Sequence, residues 1–190
     1  MCNNYRLHVP ANQLFAPFTE AGLVLATPEG LPNLEARDYR IGDRAPVIVQ
    51  GESGPQLITA PWAWKAPNGK PVFNFRSEGR AFAHATRCLI PADGFYEFTD
   101  PLVVGKKTKW LFNLVGQPWF WIAGIVRDGA FTMLTTAPGP DVAPYHDRQI
   151  VVLPPGAGLH WLEMTAPEDL ILAPGREGML AVKRVYPSPG

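Results

Sequence analysis

Proline and glycine are spread along the whole chain and leave little room for long helices. The 190 residues include 21 prolines and 18 glycines. Proline breaks a helix interior because it lacks a backbone N–H, and glycine loses more conformational entropy there than other residues do. Between these breakers stand short runs of β-branched and aromatic residues, a composition typical of strands. The runs are APVIV, PQLITA, PVFNF, KWLFNLV, WFWIAGIV, AFTMLTT, QIVVL and AVKRVY.

These short strand-like runs, separated by prolines and glycines, predict an α+β fold that is mainly β, with antiparallel strands and a few short helices. Its clearest unit is WFWIAGIVRDGAFTMLTT, where Asp128-Gly129 supplies the positive-φ positions of a tight hairpin turn. The length suits one well-packed domain over 1–190, with a loosely held tail at about 186–190. The expected short helices cover 79–86, 158–164 and 167–172.

Composition excludes several protein classes. A chain with 46% hydrophobic and 18% charged residues is ordinary for a globular protein rather than a disordered one. No apolar run has the length of a membrane span, and the N-terminus lacks a basic-then-apolar signal segment, so we expect a cytoplasmic protein without membrane contact. Cys2 and Cys88 are too few for a disulfide framework, and their spacing predicts no metal site. We expect no cofactor.

Charge is balanced overall but unevenly placed. From 61 to 90 there are five basic residues against one acid, whereas 20–60 holds six acids and three arginines. A locally basic stretch can bind a polyanion even in a neutral protein. It can equally be a solvated face, and the sequence leaves both interpretations open.

The chain begins Met1-Cys2, and removal of the methionine would leave Cys2 with a free α-amine beside its thiol. The amine has a reference pKa of about 7.7–8.0 and the thiol one of about 8.5, so both are close to their nucleophilic forms near neutrality. An aldehyde would form an imine with the amine and then a five-membered thiazolidine ring with the thiol. Both nucleophiles belong to one residue, so ring closure is intramolecular. The alternative is that Cys2 is a small residue in a first strand.

Three further stretches carry candidate site residues. PVFNFRSEGR places Asn74 and Arg76 on one side if the segment is extended. RCLIPADGFYEF holds Glu97 among aromatic residues that disfavour its ionised form, which suits a group that exchanges protons. APYHDRQIVVL presents His146 beside Arg148, just before an apolar strand. Each has a structural alternative: Asn74 could satisfy a turn, Glu97 could pair with an arginine, and His146 could cap an element or lie at the surface.

Together these stretches resemble the SOS response-associated peptidase (SRAP) family. Its members begin Met-Cys and carry, in order, an Asn-x-Arg-Ser-Glu stretch, an RCLIPADGFYEW-like stretch and an HDRMPVIL-like stretch. The counterparts here are Met1-Cys2, NFRSE at 74–78, RCLIPADGFYEF at 87–98 and HDRQIVVL at 146–153. LTTAP and PPGAGLHWLE are similar to flanking segments of the family, so the resemblance spans nearly the whole chain.

The resemblance implies a DNA-damage function. SRAP proteins crosslink abasic sites in single-stranded DNA through the N-terminal cysteine, which forms a thiazolidine with the open sugar and shields the lesion. They are also thought to remove their own initiator methionine. The implied catalytic set is Cys2 as nucleophile, Asn74 as a hydrogen-bond partner of the ring or the opened sugar, Glu97 as proton shuttle, and His146 as the group that helps open the sugar or protonates its oxygen.

The same resemblance implies contacts to the DNA. Arg76 and Arg148 would hold phosphates, Trp62 and Trp64 would stack on a base or wedge against a duplex end, and Arg6 would substitute for a missing cation. That cation is missing because Asn3-Asn4 replace the Gly-Arg that commonly follows the family's cysteine. Core packing is the alternative for one of the two tryptophans, and Cys88 is most simply a buried thiol.

Three functions follow from these observations and stay open at this point. The first is the abasic-site crosslinking enzyme, which would act as a monomer on single-stranded DNA and associate with the nucleoid when bound. The second is an N-terminal-nucleophile hydrolase or peptidase, in which Cys2 attacks an amide and its own amine serves as base. The third is a non-catalytic single-strand-binding module, which would tolerate loss of Cys2.

Overall fold

The computed structural model describes residues 2–102 and 104–188. Strands dominate this part of the chain, and its α-helices are short. The α-helices are α1 (Ala11–Glu20), α2 (Gly158–Leu162) and α3 (Glu168–Ile171), with a 3₁₀ turn at Pro155–Ala157 before α2. The strands are β1 (Asn4–Leu7), β2 (Arg37–Arg40), β3 (Arg44–Gly51), β4 (Gly54–Pro61), β5 (Trp64–Lys65), β6 (Pro71–Val72), β7 (Asn74–Arg76), β8 (Thr86–Ala92), β9 (Gly94–Thr99), β10 (Thr108–Leu114), β11 (Phe120–Arg127), β12 (Ala130–Thr136), β13 (Gln149–Ile150), β14 (Val152–Leu153) and β15 (Leu180–Tyr186).

The strands form two main sheets. The smaller has the order β15-β10-β9-β1-β2, and the larger has the order β13-β12-β11-β8-β3-β4, with β7 and β14 paired to β12 and β11. β5 and β6 form a separate short ribbon. Pairing between the described strands is antiparallel except for β7 on β12, which is parallel. The predicted fold class, mainly antiparallel β with a few short helices, is confirmed.

One apolar cluster fills the molecule and draws on both sheets. β11 is buried from Phe120 to Ile125 because it lies between β8 and β12, as its nearly continuous apolar sequence favours. Trp62, Trp121 and Trp161 are among the largest fully buried side chains, and each indole N–H donates to a backbone carbonyl. This satisfies the polar atom of each ring at little cost to burial.

The hairpin and the eight predicted runs are found as strands. Asp128 and Gly129 have φ values of 51° and 74° between β11 and β12, the turn that the Asp-Gly pair predicted. The predicted helices at 158–164 and 167–172 correspond to α2 and α3. Sequence reasoning did not assign β8 and β9, although RCLIPADGFYEF forms both and they are central strands of their sheets.

Two helix assignments need correction. The helix predicted over 79–86 is wrong: the segment forms turns that lead into β8, and the Phe82 N–H donates to the Glu168 carboxylate at 3.0 Å. That bond to a distant side chain replaces an intrahelical partner. α1 was not predicted; it contains Pro17, and its Leu14 and Phe18 lie one turn apart and pack into the core.

The end of the chain is more ordered than predicted as far as it is described. Tyr186 belongs to β15, which pairs with β10, so the proposed tail does not begin there. Residues 189 and 190 lie outside the described residues. No helix in the described part of the chain has the length and apolarity needed to cross a bilayer.

Close packing at the β8–β11–β12 crossing gives a stability prediction. A Cβ added at Gly124 would lie 2.7 Å from the Thr132 carbonyl oxygen and 2.9 Å from Cys88 Sγ. Gly124→Ala should therefore lower the free energy of unfolding by about 1–3 kcal/mol, measured by urea denaturation. Gly156→Ala is the matched control, since nothing lies within 4 Å of its added Cβ. Equal stability of the two variants would contradict the packing.

Candidate active site

The N-terminal residues enter the protein as an interior strand. β1 pairs with β9 on one side and β2 on the other, with Tyr5 opposite both Phe95 and Tyr39. Because β1 and β9 are antiparallel, the residues that precede Tyr5 lie beside the residues that follow Phe95, in the direction of Glu97. Cys2 is consequently only 1% exposed, and its Sγ lies 3.4 Å from the Asn4 carbonyl oxygen.

Burial controls the ionisation of the Cys2 thiol. Desolvation raises the pKa of Cys2 well above its ordinary value, and the negative charge of Glu97 raises it further. The thiol is therefore protonated near neutrality in this structure. If Cys2 is to attack as a thiolate, a neighbouring group must accept its proton.

Glu97 has the properties of such a group. It lies on β9, is 1% exposed, and burial raises the pKa of its carboxyl to about 7, with a smaller contribution from the charge of Asp147. The sequence predicted this direction from the aromatic neighbours, and the direction is confirmed. A carboxyl with a pKa near neutrality can both accept and donate a proton under ordinary conditions.

Asn74 ties the site to the larger sheet. It begins β7, which runs parallel to β12 with Asn74 opposite Met133. Its Nδ2 donates to the Cys2 carbonyl oxygen at 2.8 Å, a bond worth about 1 kcal/mol. Its Oδ1 is buried and has no hydrogen-bond partner among the described residues. An unsatisfied acceptor at this position suits a donor group on a bound ligand.

A cavity of about 360 Å³ adjoins this bond, and we call it the His146 cavity. It brings together side chains from β7, from β12 and from the loop before β13, and four of its members are site residues predicted from the sequence. The lining residues are Asn74, Arg76, Thr135, His146, Asp147 and Arg148.

His146 is held by its neighbours in sequence. Its Nδ1 lies 3.0 Å from the Arg148 backbone nitrogen and 2.7 Å from Asp147 Oδ1. Burial lowers the pKa of His146, and that effect exceeds the opposing effect of Asp147. Nδ1 faces both an N–H donor and a carboxylate: in the neutral Nε2–H form it accepts from the Arg148 N–H, and in the protonated ring it donates to Asp147 Oδ1.

The two arginines of the His146 cavity differ in what they contact. Arg148 donates to both carboxylate oxygens of Glu78, at 2.5 and 2.8 Å, and to the Thr135 carbonyl oxygen at 2.9 Å. The hydrogen bond from Arg148 lowers the pKa of Glu78 to about 2. Arg76 is exposed and has no ion-pair partner in the described part of the chain. Arg148 therefore holds the loop in place, while Arg76 is available to an anion.

Three predicted DNA contacts are not placed to make them in this structure. Trp62 is fully buried, stacks on Phe131 and donates its N–H to the Phe73 carbonyl oxygen, and Trp64 is 6% exposed. Stacking of either ring on a base is corrected to core packing, because neither face is open. Arg6 lies outside the His146 cavity, with its guanidinium on Asp93 at 2.9 Å.

Two cavity residues were not assigned a role from the sequence. Thr135 reaches the site because β7 pairs with β12, and no local sequence pattern predicts a parallel pairing between segments this far apart in the chain. Asp147 was visible beside His146, and its effect on the pKa of Glu97 appears only when β9 is brought close. Cys88 is fully buried, as predicted. No group of three or more metal-ligating side chains occurs among the described residues.

Comparison with known proteins gives the chain's relatives. The model of the SOS response associated peptidase (SRAP) family matches residues 1–187. No curated protein matches the chain.

Solved structures share the fold. A protein from Bordetella bronchiseptica is 25% identical, with a TM-score of 0.73 over 97% of this chain and 99% of that one. A phage-related protein from the same organism is 21% identical, with a TM-score of 0.72 over 97% and 94%. A protein from Bacteroides thetaiotaomicron is 16% identical, with a TM-score of 0.69 over 98% and 93%.

The raised pKa of Glu97 predicts a pH-dependent stability. Because the folded state holds this proton more tightly than the unfolded state, stability is lost as pH rises from 4.5, the ordinary value, to about 7. The loss attributable to Glu97 is on the order of 3 kcal/mol. Glu97→Gln should remove this loss. The free energy of unfolding of the variant, measured by urea denaturation, should therefore increase relative to that of the wild type as pH rises across this window. The exposed Glu52→Gln is the control, and parallel pH profiles for wild type and Glu97→Gln would contradict the assignment.

Proposed function

The chain belongs to the SOS response-associated peptidase family, and we propose that its Cys2, freed of Met1, crosslinks abasic sites in single-stranded DNA through a thiazolidine. The observation that carries the proposal is that Asn74, which lines the His146 cavity, donates to the Cys2 carbonyl oxygen, while the charge of Glu97 acts on the Cys2 thiol. A buried thiol and a carboxyl with a pKa of about 7 are thereby linked to a cavity that holds an exposed arginine. This combination suits proton-coupled addition to a carbonyl on a phosphate-bearing substrate.

The first step is imine formation. The Cys2 nitrogen attacks the aldehyde carbon of the opened sugar, a C–N bond forms, and the carbonyl oxygen leaves as water after protonation. His146 Nε2–H is the group proposed to donate to the sugar oxygen, since Nδ1 is turned toward its own loop, 2.7 Å from Asp147 Oδ1. The proton comes from the imidazolium form of His146, which becomes the neutral ring as the oxygen is protonated and then takes up another proton from solvent.

The second step is ring closure. The Cys2 S–H bond breaks, sulfur bonds to the imine carbon, and the imine nitrogen gains a proton, so that no atom is lost. Glu97 is proposed to carry the proton from sulfur to nitrogen. It suits this role because the pKa of its carboxyl is about 7, whereas burial keeps the thiol protonated until a base removes its proton.

Positioning is assigned to Asn74 and Arg76. The Asn74 Nδ2 bond to the Cys2 carbonyl oxygen fixes the backbone of the nucleophile, and its unsatisfied Oδ1 can accept from a sugar hydroxyl. Arg76 lies two residues along β7 on the same cavity and can hold a flanking phosphate. Removal of Met1, the source of the family's peptidase name, belongs to the proposal, but Met1 lies outside the described residues.

Loss of the nucleophile gives the direct test. A single-stranded oligonucleotide with one abasic site should form a heat-stable band with the wild-type protein on a denaturing gel. Cys2→Ala should form no such band, because the thiazolidine ring cannot close without the thiol. Cys88→Ala is the matched control, since Cys88 is the other thiol and is buried away from the cavity.

Intact mass completes this test. The adduct should equal the protein without Met1 plus the oligonucleotide, less one water. A trimmed protein that forms no adduct would overturn the proposal and move amide hydrolysis by Cys2 to first place. A band of equal intensity with Cys2→Ala would indicate that some other amine reacts.

Glu97 gives a second kinetic prediction. Glu97→Gln should slow crosslinking by about 10²-fold or more, because the general base for ring closure is removed. The wild-type rate should rise with pH through about 7, the pKa of Glu97, and this rise should be absent in the variant. Binding to undamaged DNA, measured by fluorescence anisotropy, should be the same for both proteins. Equal crosslinking rates would exclude Glu97 as the proton carrier.

A further inference from the structure

A second cavity adjoins the N-terminal residues on the side of the smaller sheet. It has a volume of about 670 Å³ and is lined by Asn3, which directly follows Cys2, and by four cationic side chains. We call it the lysine groove and define it by Arg40, Lys106, Lys107 and Lys109. The sequence analysis gave these residues no role, although three lysines occur within four positions.

The groove is a product of strand order. Arg40 ends β2, Lys109 lies in β10, and Lys106 and Lys107 belong to the connection between β9 and β10. Since β1 lies between β9 and β2, the residues before β1 pass directly beside these cations. Asn3 and Asn4 therefore have cationic neighbours in space, although no cation follows Cys2 in the sequence until Arg6.

Most of this charge is not neutralised locally. Lys109 Nζ lies 3.8 Å from Asp38 and 3.5 Å from the centre of the Tyr96 ring, so it is partly compensated. Arg40, Lys106 and Lys107 form no ion pair within the described residues and are exposed. In a chain with zero formal net charge, such a concentration of cations selects for anions locally.

One groove cation lies within electrostatic range of the His146 cavity. Burial is the largest cause of the lowered pKa of His146, and the positive charge of Lys107 is the smallest. Cys2 thus neighbours both cavities: Asn74, which contacts its carbonyl oxygen, lines the His146 cavity with Arg76, and Asn3 lines the lysine groove. A chain of phosphates that passes Cys2 would be within reach of the cations of both. Phe98 and Tyr186 line the groove as well and offer partly exposed rings to bases.

We propose that the lysine groove binds the phosphodiester backbone of single-stranded DNA on one side of the lesion and so holds the aldehyde at Cys2. The proposal rests on the proposed crosslinking function and names the part of the protein that grips its substrate. The basic stretch at 61–90 is not where these cations lie, since the groove draws on 40 and 106–109.

The test is the salt dependence of binding to an undamaged single-stranded oligonucleotide, measured by fluorescence anisotropy. Lys106→Gln/Lys107→Gln should weaken binding roughly tenfold at low salt, and should lower the slope of log K against log salt by about 1.4, or about 0.7 for each lost contact. Lys65→Gln/Lys70→Gln is the matched control: it removes the same charge from the exposed β5–β6 region and should leave both quantities unchanged.

Failure of the groove and failure of the chemistry are separable. An unchanged Kd and slope in Lys106→Gln/Lys107→Gln would overturn the groove even if the protein crosslinks normally. Equal losses in both double variants would also overturn it, since binding would then follow net charge alone. A groove-dependent Kd in a wild-type protein that forms no crosslink would support the groove and remove the proposed chemistry.

Discussion

Pairing of β1 on both sides is the constraint from which the rest of the site follows. Chain ends usually lie exposed and loosely held. Here Tyr5 stacks on Tyr39 with ring centres 5.2 Å apart, Asn4 donates to the Tyr39 carbonyl oxygen, and Arg6 pairs with Asp93. These contacts draw the N-terminus into the smaller sheet. Cys2 is buried as a result, although nothing in its own chemistry requires burial.

Burial of Cys2 beside Glu97 then decides which of them carries a proton. Burial removes the water that would stabilise the charged form of each group, so the pKa of each is raised. The negative charge of Glu97 raises the pKa of Cys2 further. Two such neighbours do not ionise together at neutral pH. The pair instead holds protons that can be exchanged within a water-poor site. Burial of Glu97 therefore has two consequences. It lowers the stability of the fold when Glu97 ionises, and it gives the carboxyl the pKa that suits the proposed proton transfer.

Cations around this site divide into structural and available ones. Arg148 and Arg6 are held by carboxylates, and Arg87 packs over the Trp161 ring and pairs with Glu168, so each stabilises local structure. Arg76 in the His146 cavity and Arg40, Lys106 and Lys107 in the lysine groove are exposed and form no ion pair within the described residues. Sequence composition cannot show this division, because arginines of both kinds occur in similar polar surroundings along the chain.

Sequence alone was enough to predict the strand-rich architecture, the Asp128-Gly129 turn and four of the six residues that line the His146 cavity, namely Asn74, Arg76, His146 and Arg148. These features are local: a run of β-branched residues or a positive-φ pair reports on its own backbone, and motif residues are recognised wherever they fold. Tertiary structure alone decided that Asn74 contacts Cys2, that Trp62 and Trp64 face the core, that 79–86 is a loop held by Glu168, and that the groove cations converge on Asn3. Each of these depends on pairing or packing between segments far apart in the chain, and a one-dimensional pattern specifies which face is apolar without specifying what that face meets.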